Sequence, residues 1–301
     1  MIGLEQAERA LKSVYLDIIS TQLNTANGFI ASVKKTTQDV WGKEIITSTP
    51  LGNGGYLQIT QEITNLYGDI EITDKALKVI QQSTGAFVDL LNSEIENLLK
   101  ETKNKIINAT YSEDKKPNYL PEKYEYKPLQ LSGLKELFNT NQKTLYGVDR
   151  KKYNFNPIIE KISNVNTFKI EHVIDEINPD INFLICNPDT KRKIKEFLSA
   201  HHQNIVMRET PSGYYGMQLN NNVIIETHKD IPNNEIWLVN SNDFKFHQLC
   251  DWLWLEDDEG KILRKDNTKP VYRARLVKYG NLMCHNVNKQ IKIILEEKNE
   301  I

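Results

Sequence analysis

Gly52-Asn53-Gly54-Gly55 is a glycine-rich run of the kind whose backbone N–H groups can cradle a phosphate. A phosphate loop needs Gly-Lys-Ser or Gly-Lys-Thr opening a helix, whereas here Tyr56-Leu57-Gln58-Ile59 opens a β-rich run, so the cluster reads as a tight turn. His201-His202 closes a helical pattern that carries Lys191, Arg192, Lys193 and Lys195. Adjacent residues point to different sides of a helix, so the two imidazoles cannot chelate one metal, and they read as a cationic cap at the negative end of the helix dipole. His172, His228, His247 and His285 are scattered, with no His-x-Glu or Cys-x-x-Cys partner. Glu256-Asp257-Asp258-Glu259 offers oxygens to a hard cation, but it lacks the spaced ligands of a calcium loop, and with Gly260 it makes a solvated turn. No serine sits in a Gly-x-Ser-x-Gly elbow. The sequence therefore assigns no catalytic, cofactor-binding or metal-binding residues.

Composition narrows the class. The 301 residues are 39% hydrophobic and 26% charged, enough to bury a substantial core in one large domain or two smaller ones. A formal net charge of −2 argues against a dedicated nucleic-acid binder, because such domains are strongly basic. Met1 to Glu8 lacks the basic and apolar regions of a secretory signal, and no apolar run approaches the roughly 18 residues of a membrane span, so the expected compartment is cytosolic. Three widely separated cysteines, Cys186, Cys250 and Cys284, fit reduced, buried thiols better than a disulfide framework.

The elements that would hold these residues follow from periodicity. Leu4, Ala7, Leu11, Val14, Tyr15, Ile18 and Ile19 share a helical face, which Asn24, Asn27 and Gly28 terminate. Val40 to Ile72 reads as a hairpin turning at Gly52 to Gly55, with limbs of about 13 residues, or roughly 43 Å at ~3.3 Å per residue. A compact chain of this length has a radius of gyration of only about 19 Å, so such a hairpin would leave its own subunit. Trp41, Ile45, Tyr56, Leu57, Ile59, Ile63, Leu66 and Tyr67 give it an apolar surface that an isolated ribbon cannot keep in water. A helix capped by Ser83 or Thr84 is expected to run to Tyr111, and 112–128 reads as a linker. Between 129 and 240, helices are expected at Leu131–Phe138, Phe168–Ile177 and Thr190–Ala200, and strands at Phe183–Cys186, Val223–Glu226 and Ile236–Val239. Phe244 to Ile293 reads as a long twisted ribbon of two alternating runs joined by the acidic turn. Phe244, Phe246, Cys250, Trp252 and Trp254 lie on one face, Lys245, His247 and Asp251 on the other, and Gly280-Asn281 interrupts the second run.

His247-Gln248-Leu249-Cys250-Asp251-Trp252, Trp254-Leu255-Glu256, Lys269-Pro270-Val271-Tyr272 and Leu276-Val277-Lys278-Tyr279 resemble the C-terminal segment of tailed-bacteriophage major capsid proteins, which have the Hong Kong 97-like fold. The resemblance continues upstream through Asp69 to Lys75, Gly85 to Val88, Leu145 to Arg150 and Asn182 to Cys186, and covers nearly the whole chain. It implies an α+β subunit with an N-terminal arm (1–39), an extended β-hairpin loop (40–72), a peripheral domain with a long spine helix and a β-ribbon (73–128 and 241–301), and an α/β axial domain (129–240). It further implies that the arm and the hairpin pack on neighbouring subunits. Trp41, Asn53, Gly54, Tyr56, Ile59 and Tyr67 are then the expected inter-subunit contacts. The implied role is self-assembly, without catalysis or cofactor, into pentamers and hexamers of an icosahedral virion capsid. The capsid would be built in the bacterial host cytoplasm with a separate scaffolding protein and a portal, and would enclose double-stranded DNA without sequence-specific binding and without a membrane. Two other readings remain open from sequence: an encapsulin-like nanocompartment shell, and a cytosolic α/β enzyme with a site in 129–240.

Overall fold

The computed structural model describes residues 2–50, 55–76, 84–112, 131–202, 205–209, 215–219 and 222–296. Helix formation begins at Ile2 and continues to Asn24, through a widened π-helical turn at Leu11–Tyr15. The Leu11 carbonyl accepts a hydrogen bond from Trp254 Nε1 at 3.0 Å, so a backbone group of the wide turn is satisfied by a distant side chain. Ala7, Leu11, Ile19 and Leu23 form its buried stripe, and they pack on Leu91, Ile95, Leu98, Trp252, Trp254 and Ile262 of the same chain. The expectation that a neighbouring subunit buries this stripe is corrected: the subunit's own core does so, because the two tryptophans and the long helix supply a complementary apolar surface.

That long helix, Thr84–Tyr111, has 28 residues, about 42 Å at ~1.5 Å per residue. Its start and end match the sequence expectation, while Ser83 and the linker from 113 to 128 lie outside the described residues. It crosses the strand Thr64–Thr73 at Gly68, where a Cβ would collide with Thr102 and Leu98 of the helix. Glycine here sets the helix-to-strand distance, since any side chain would hold the two elements apart.

The strand Thr64–Thr73 pairs antiparallel, over ten residues, with Val271–Cys284. Val271–Cys284 is the spine of a six-stranded sheet that also includes Lys34–Thr36, Phe244–Gln248, Leu253–Trp254 and Arg264–Lys265. This strand runs unbroken through Gly280 and Asn281, where an interruption is expected. Gly280 is required there by close approach, since a Cβ would meet the His247 carbonyl and the Phe246 ring. Asn281 fits because its side chain accepts from Ser132 N and donates to the Glu62 carbonyl. The first alternating run does break after Gln248, and the acidic turn closes an excursion with Gly260 at φ 75°. His247 is 0% exposed, against the expected outward face, because the Gln38–Asp39 turn and the His285 ring close over it.

A seven-stranded sheet forms the other half, in the order Val206–Glu209, Tyr215–Leu219, Val223–Thr227, Phe183–Cys186, Glu235–Val239, Ile291–Glu296 and Ile158–Ser163. Phe183–Cys186 is buried at every position, which explains its unbroken apolar sequence. Leu184 and Cys186 face Ile170, Ile174, Ile194 and Leu198 of the helices Thr167–Ile177 and Pro188–Ala200. Phe183 and Ile185 face a core shared with Phe29, Trp237 and Phe244. The final strand, Ile291–Glu296, joins this sheet between Glu235–Val239 and Ile158–Ser163, so it crosses the boundary expected at 240/241. Its alternation of Ile291, Ile293 and Leu295 satisfies a two-layer core in either sheet, and only tertiary pairing chooses.

Candidate assembly surface

The hairpin consists of Glu44–Pro50 and Tyr56–Glu62, seven residues in each limb, with Val40–Trp41 added at its root. It is about half the expected length, because Thr64–Thr73 leaves it for the long sheet. One face rests on its own subunit: Ile45 and Ile59 are buried in the core that holds Leu145 and Tyr146. Thr60 N donates to the Tyr146 carbonyl at 3.0 Å, and the Thr49 hydroxyl donates to the His285 carbonyl. On the opposite side Tyr56 is 76% exposed, and at the root Trp41 is 71% exposed.

The expected contact residues therefore divide. Trp41 and Tyr56 are free at the surface, and Asn53 and Gly54 lie outside the described residues. Ile59 is a correction: at 0% exposure it serves its own core, because alternation turns it inward beside Thr47. Tyr67 belongs to the long sheet and lies beneath Lys105 Nζ and the Arg275 guanidinium, each 4.9 Å from the ring centroid.

A second surface escaped the sequence reading. Among the described residues Val206–Glu209 pairs only with Tyr215–Leu219 and forms the far end of the seven-stranded sheet, exposed at every position. Met207 is 60% and Tyr215 62% exposed. A free, apolar strand edge is a template for another chain. The Ile205-Val206-Met207 run signals a strand, but nothing local says that both of its faces meet solvent.

Buried polar groups tie the parts together. Glu226 accepts from Phe29 N at 3.0 Å and from the Tyr111 hydroxyl at 2.6 Å, so the seven-stranded sheet grips both the short helix Gly28–Ser32 and the end of the long helix. Burial raises its carboxyl above the ordinary value, against the lowering effect of those bonds. Lys278, 3% exposed, donates to Asp251 and to Asn24 Oδ1, each at 2.8 Å, and burial lowers its ammonium's pKa despite Asp251. At the hairpin root His247 and His285 meet Nε2 to Nε2 at 3.0 Å. His201 caps its helix through Nδ1 on the Phe197 carbonyl at 2.8 Å, which agrees with a capping role. Cys186 and Cys284 are buried and Cys250 half-buried, all free, and burial pushes the Cys186 thiol up to about 12. Among the described residues no cluster of His, Cys, Asp or Glu could hold a metal ion, and no helix is long and apolar enough to cross a membrane.

What this surface offers is contact area. The chain has an α+β fold of the Hong Kong 97 type, with a long helix across a long ribbon, a hairpin and a seven-stranded sheet. Among solved structures it is similar to the capsid asymmetric unit of cyanophage A-1(L), with a TM-score of 0.60 and 10% identity over 87% of this chain and 90% of that one. It is similar as well to the capsid of an empty GTA particle, with a TM-score of 0.53 and 8% identity over 90% of each chain. A third likeness is to the procapsid of satellite phage P4, with a TM-score of 0.50 and 8% identity over 92% of this chain and 98% of that one. No protein-family model matches the chain, and no curated protein matches it.

Proposed function

We propose that this chain is the major capsid protein of a tailed bacteriophage or prophage, self-assembling into pentamers and hexamers of an icosahedral shell around double-stranded DNA. The observation that carries this reading is the fold shared with a cyanophage capsid subunit over nearly the full length of both chains. The seven-stranded unit then acts as the axial domain, its free edge at Val206–Glu209 facing the capsomer centre. The long helix and the six-stranded sheet act as the peripheral domain. Trp41 and Tyr56 contact the adjacent subunit, and Asn53 and Gly54 at the hairpin tip extend that contact. Heterologous contacts of this kind close into rings. A separate scaffolding protein and a portal complete the assembly in the bacterial cytoplasm, and DNA is enclosed without being read, in keeping with a net charge of −2.

Aromatic side chains bury about 150–250 Å² each, so covering Trp41 and Tyr56 removes roughly 300 Å² per subunit from water, a gross gain of about 7 kcal/mol before ordering costs. Negative-stain microscopy of the protein, alone and with a co-expressed scaffold, tests the assignment: shells with co-purified DNA and portal are expected. Shells filled by an enzyme would instead indicate a nanocompartment, and a discrete small particle would overturn the assembly reading. Trp41→Ser with Tyr56→Ser should leave a folded subunit, by circular dichroism, that no longer forms shells. Unchanged particle yield would remove the hairpin from the interface.

A further inference from the structure

The His247–His285 pair sits where the hairpin joins the body. His247 comes from the strand Phe244–Gln248, and His285 follows the end of Val271–Cys284. His247 Nδ1 lies 3.2 Å from the Gln38 carbonyl. A carbonyl only accepts, so Nδ1 carries the hydrogen, Nε2 of His247 presents a lone pair, and His285 donates its Nε2–H across the 3.0 Å gap. With at most one added proton the two Nε2 atoms still share an N–H···N bond, because one ring donates while the other accepts; with both rings protonated neither Nε2 is bare.

The hairpin is fastened to both partners of this bond. The Thr49 hydroxyl donates to the His285 carbonyl. Ile46 N donates to the Asp39 carbonyl at 2.8 Å, in the turn whose Gln38 carbonyl holds His247, and Asp39 there has a left-handed φ of 68°. A second proton on the pair would set two N–H groups against each other at 3.0 Å and break the contact between both fastenings.

We propose that the His247–His285 pair is an acid-released latch: carrying at most one added proton, it holds the hairpin on its own subunit, and with both rings protonated it parts and frees the hairpin to engage a neighbouring copy. The neighbour in this statement rests on the shell-forming reading; the latch itself does not.

The charged surroundings set the direction. Burial opposes a charge on either ring, a charge on His247 opposes a second one on His285, and Lys245 adds to this. Asp39, whose Oδ2 is 3.9 Å from His247 Nδ1, favours the proton, as do the backbones of Gln38 and Ser48. The balance lowers His247 and brings His285 down to about 4 from the ordinary 6.5. A histidine depressed in the folded state stabilises that state fully above its unfolded value, and the contribution is lost as pH falls toward the folded one. The latch is therefore closed above about pH 6.5 and opens as the pH drops toward 4, with a ceiling of about 300-fold in the closed-to-open ratio from His285.

Hydrogen exchange of the unassembled wild-type subunit at about pH 7.5 and about pH 5, corrected for intrinsic rates, tests this. Amides of Glu44–Pro50 and Tyr56–Glu62 should lose about tenfold or more in protection at the lower pH, while the pairing of Thr64–Thr73 with Val271–Cys284 keeps its own. In the double variant His247→Gln with His285→Gln, which has no titrating ring at this site, the hairpin should exchange alike at both pH values; His247→Gln alone, which cannot carry two charges, should lose less protection than wild type and serves as the second variant should the first not fold. Loss spread evenly over the chain, no loss, or the same loss in the variants overturns the latch. Because the subunits are unassembled, a failure of the shell-forming reading would leave this result standing.

Discussion

Glu226 joins three elements distant in sequence, and removing its carboxylate should loosen their junction. In Glu226→Ala, Phe29 N and the Tyr111 hydroxyl each lose a charged acceptor in a buried site. Hydrogen bonds to charged groups contribute about 1.5–3 kcal/mol each, giving a gross loss of roughly 3–6 kcal/mol. Part of this is offset because the carboxylate itself is held at a desolvation cost, visible in its raised pKa, so the expected net destabilisation is about 2–4 kcal/mol. Urea unfolding of the unassembled subunit, followed by tryptophan fluorescence, measures it. A double-mutant cycle with Tyr111→Phe should return a coupling of about 1–3 kcal/mol. The pH dependence has a definite sign. A carboxyl raised in the folded state adds stability below its unfolded pKa and loses it as pH rises through the folded one, so wild type should gain on Glu226→Gln as the pH falls through the carboxylate range. A Glu226→Ala effect below about 0.5 kcal/mol, or a coupling near zero, would refute the claim that this carboxylate ties the sheet to the helix ends.

Trp252→Ala should destabilise the subunit by about 3–5 kcal/mol in the same unfolding experiment, since the ring is buried between the N-terminal helix and the ribbon; a near-neutral result would place it outside the core. Gly68→Ala should cost about 1–3 kcal/mol, because the new methyl meets Thr102 and Leu98 and must push the long helix from its strand. Thermal melts that match wild type would mean that the helix does not lie on that strand.

Local pattern carried some elements into the structure nearly unchanged. The long helix ends at Tyr111 as its 3.6-residue period requires, and Phe183–Cys186 could hardly be anything but a strand buried on both faces. Asn-Gly chemistry announced a reversal near Gly52, and a hairpin flanks that position. The candidate surface was half legible: Trp41 and Tyr56 are exposed aromatics, but Ile59, three residues from Tyr56 and on the other face, is not. Along a strand the sequence gives alternation, while which face meets the body depends on what packs there. His247 shows the same limit, since its polar character argued for solvent, while the turn at Gln38–Asp39 and the distant His285 bury it.

By itself the sequence determined the type of most elements, the absence of a recognisable catalytic or metal motif, and a resemblance to one capsid fold, because these depend on periodicity, turn chemistry and residue identity within short windows. Tertiary structure alone decided that Thr64–Thr73 leaves the hairpin for a ten-residue pairing with Val271–Cys284, that Ile291–Glu296 closes the other sheet, and that the N-terminal helix lies on its own subunit. It decided too that Glu226 meets Tyr111 and His247 meets His285. The physical reason is common to all of these: each is a pairing between segments distant in sequence, chosen by the burial and hydrogen-bond satisfaction of both partners, and neither partner's local sequence contains the other.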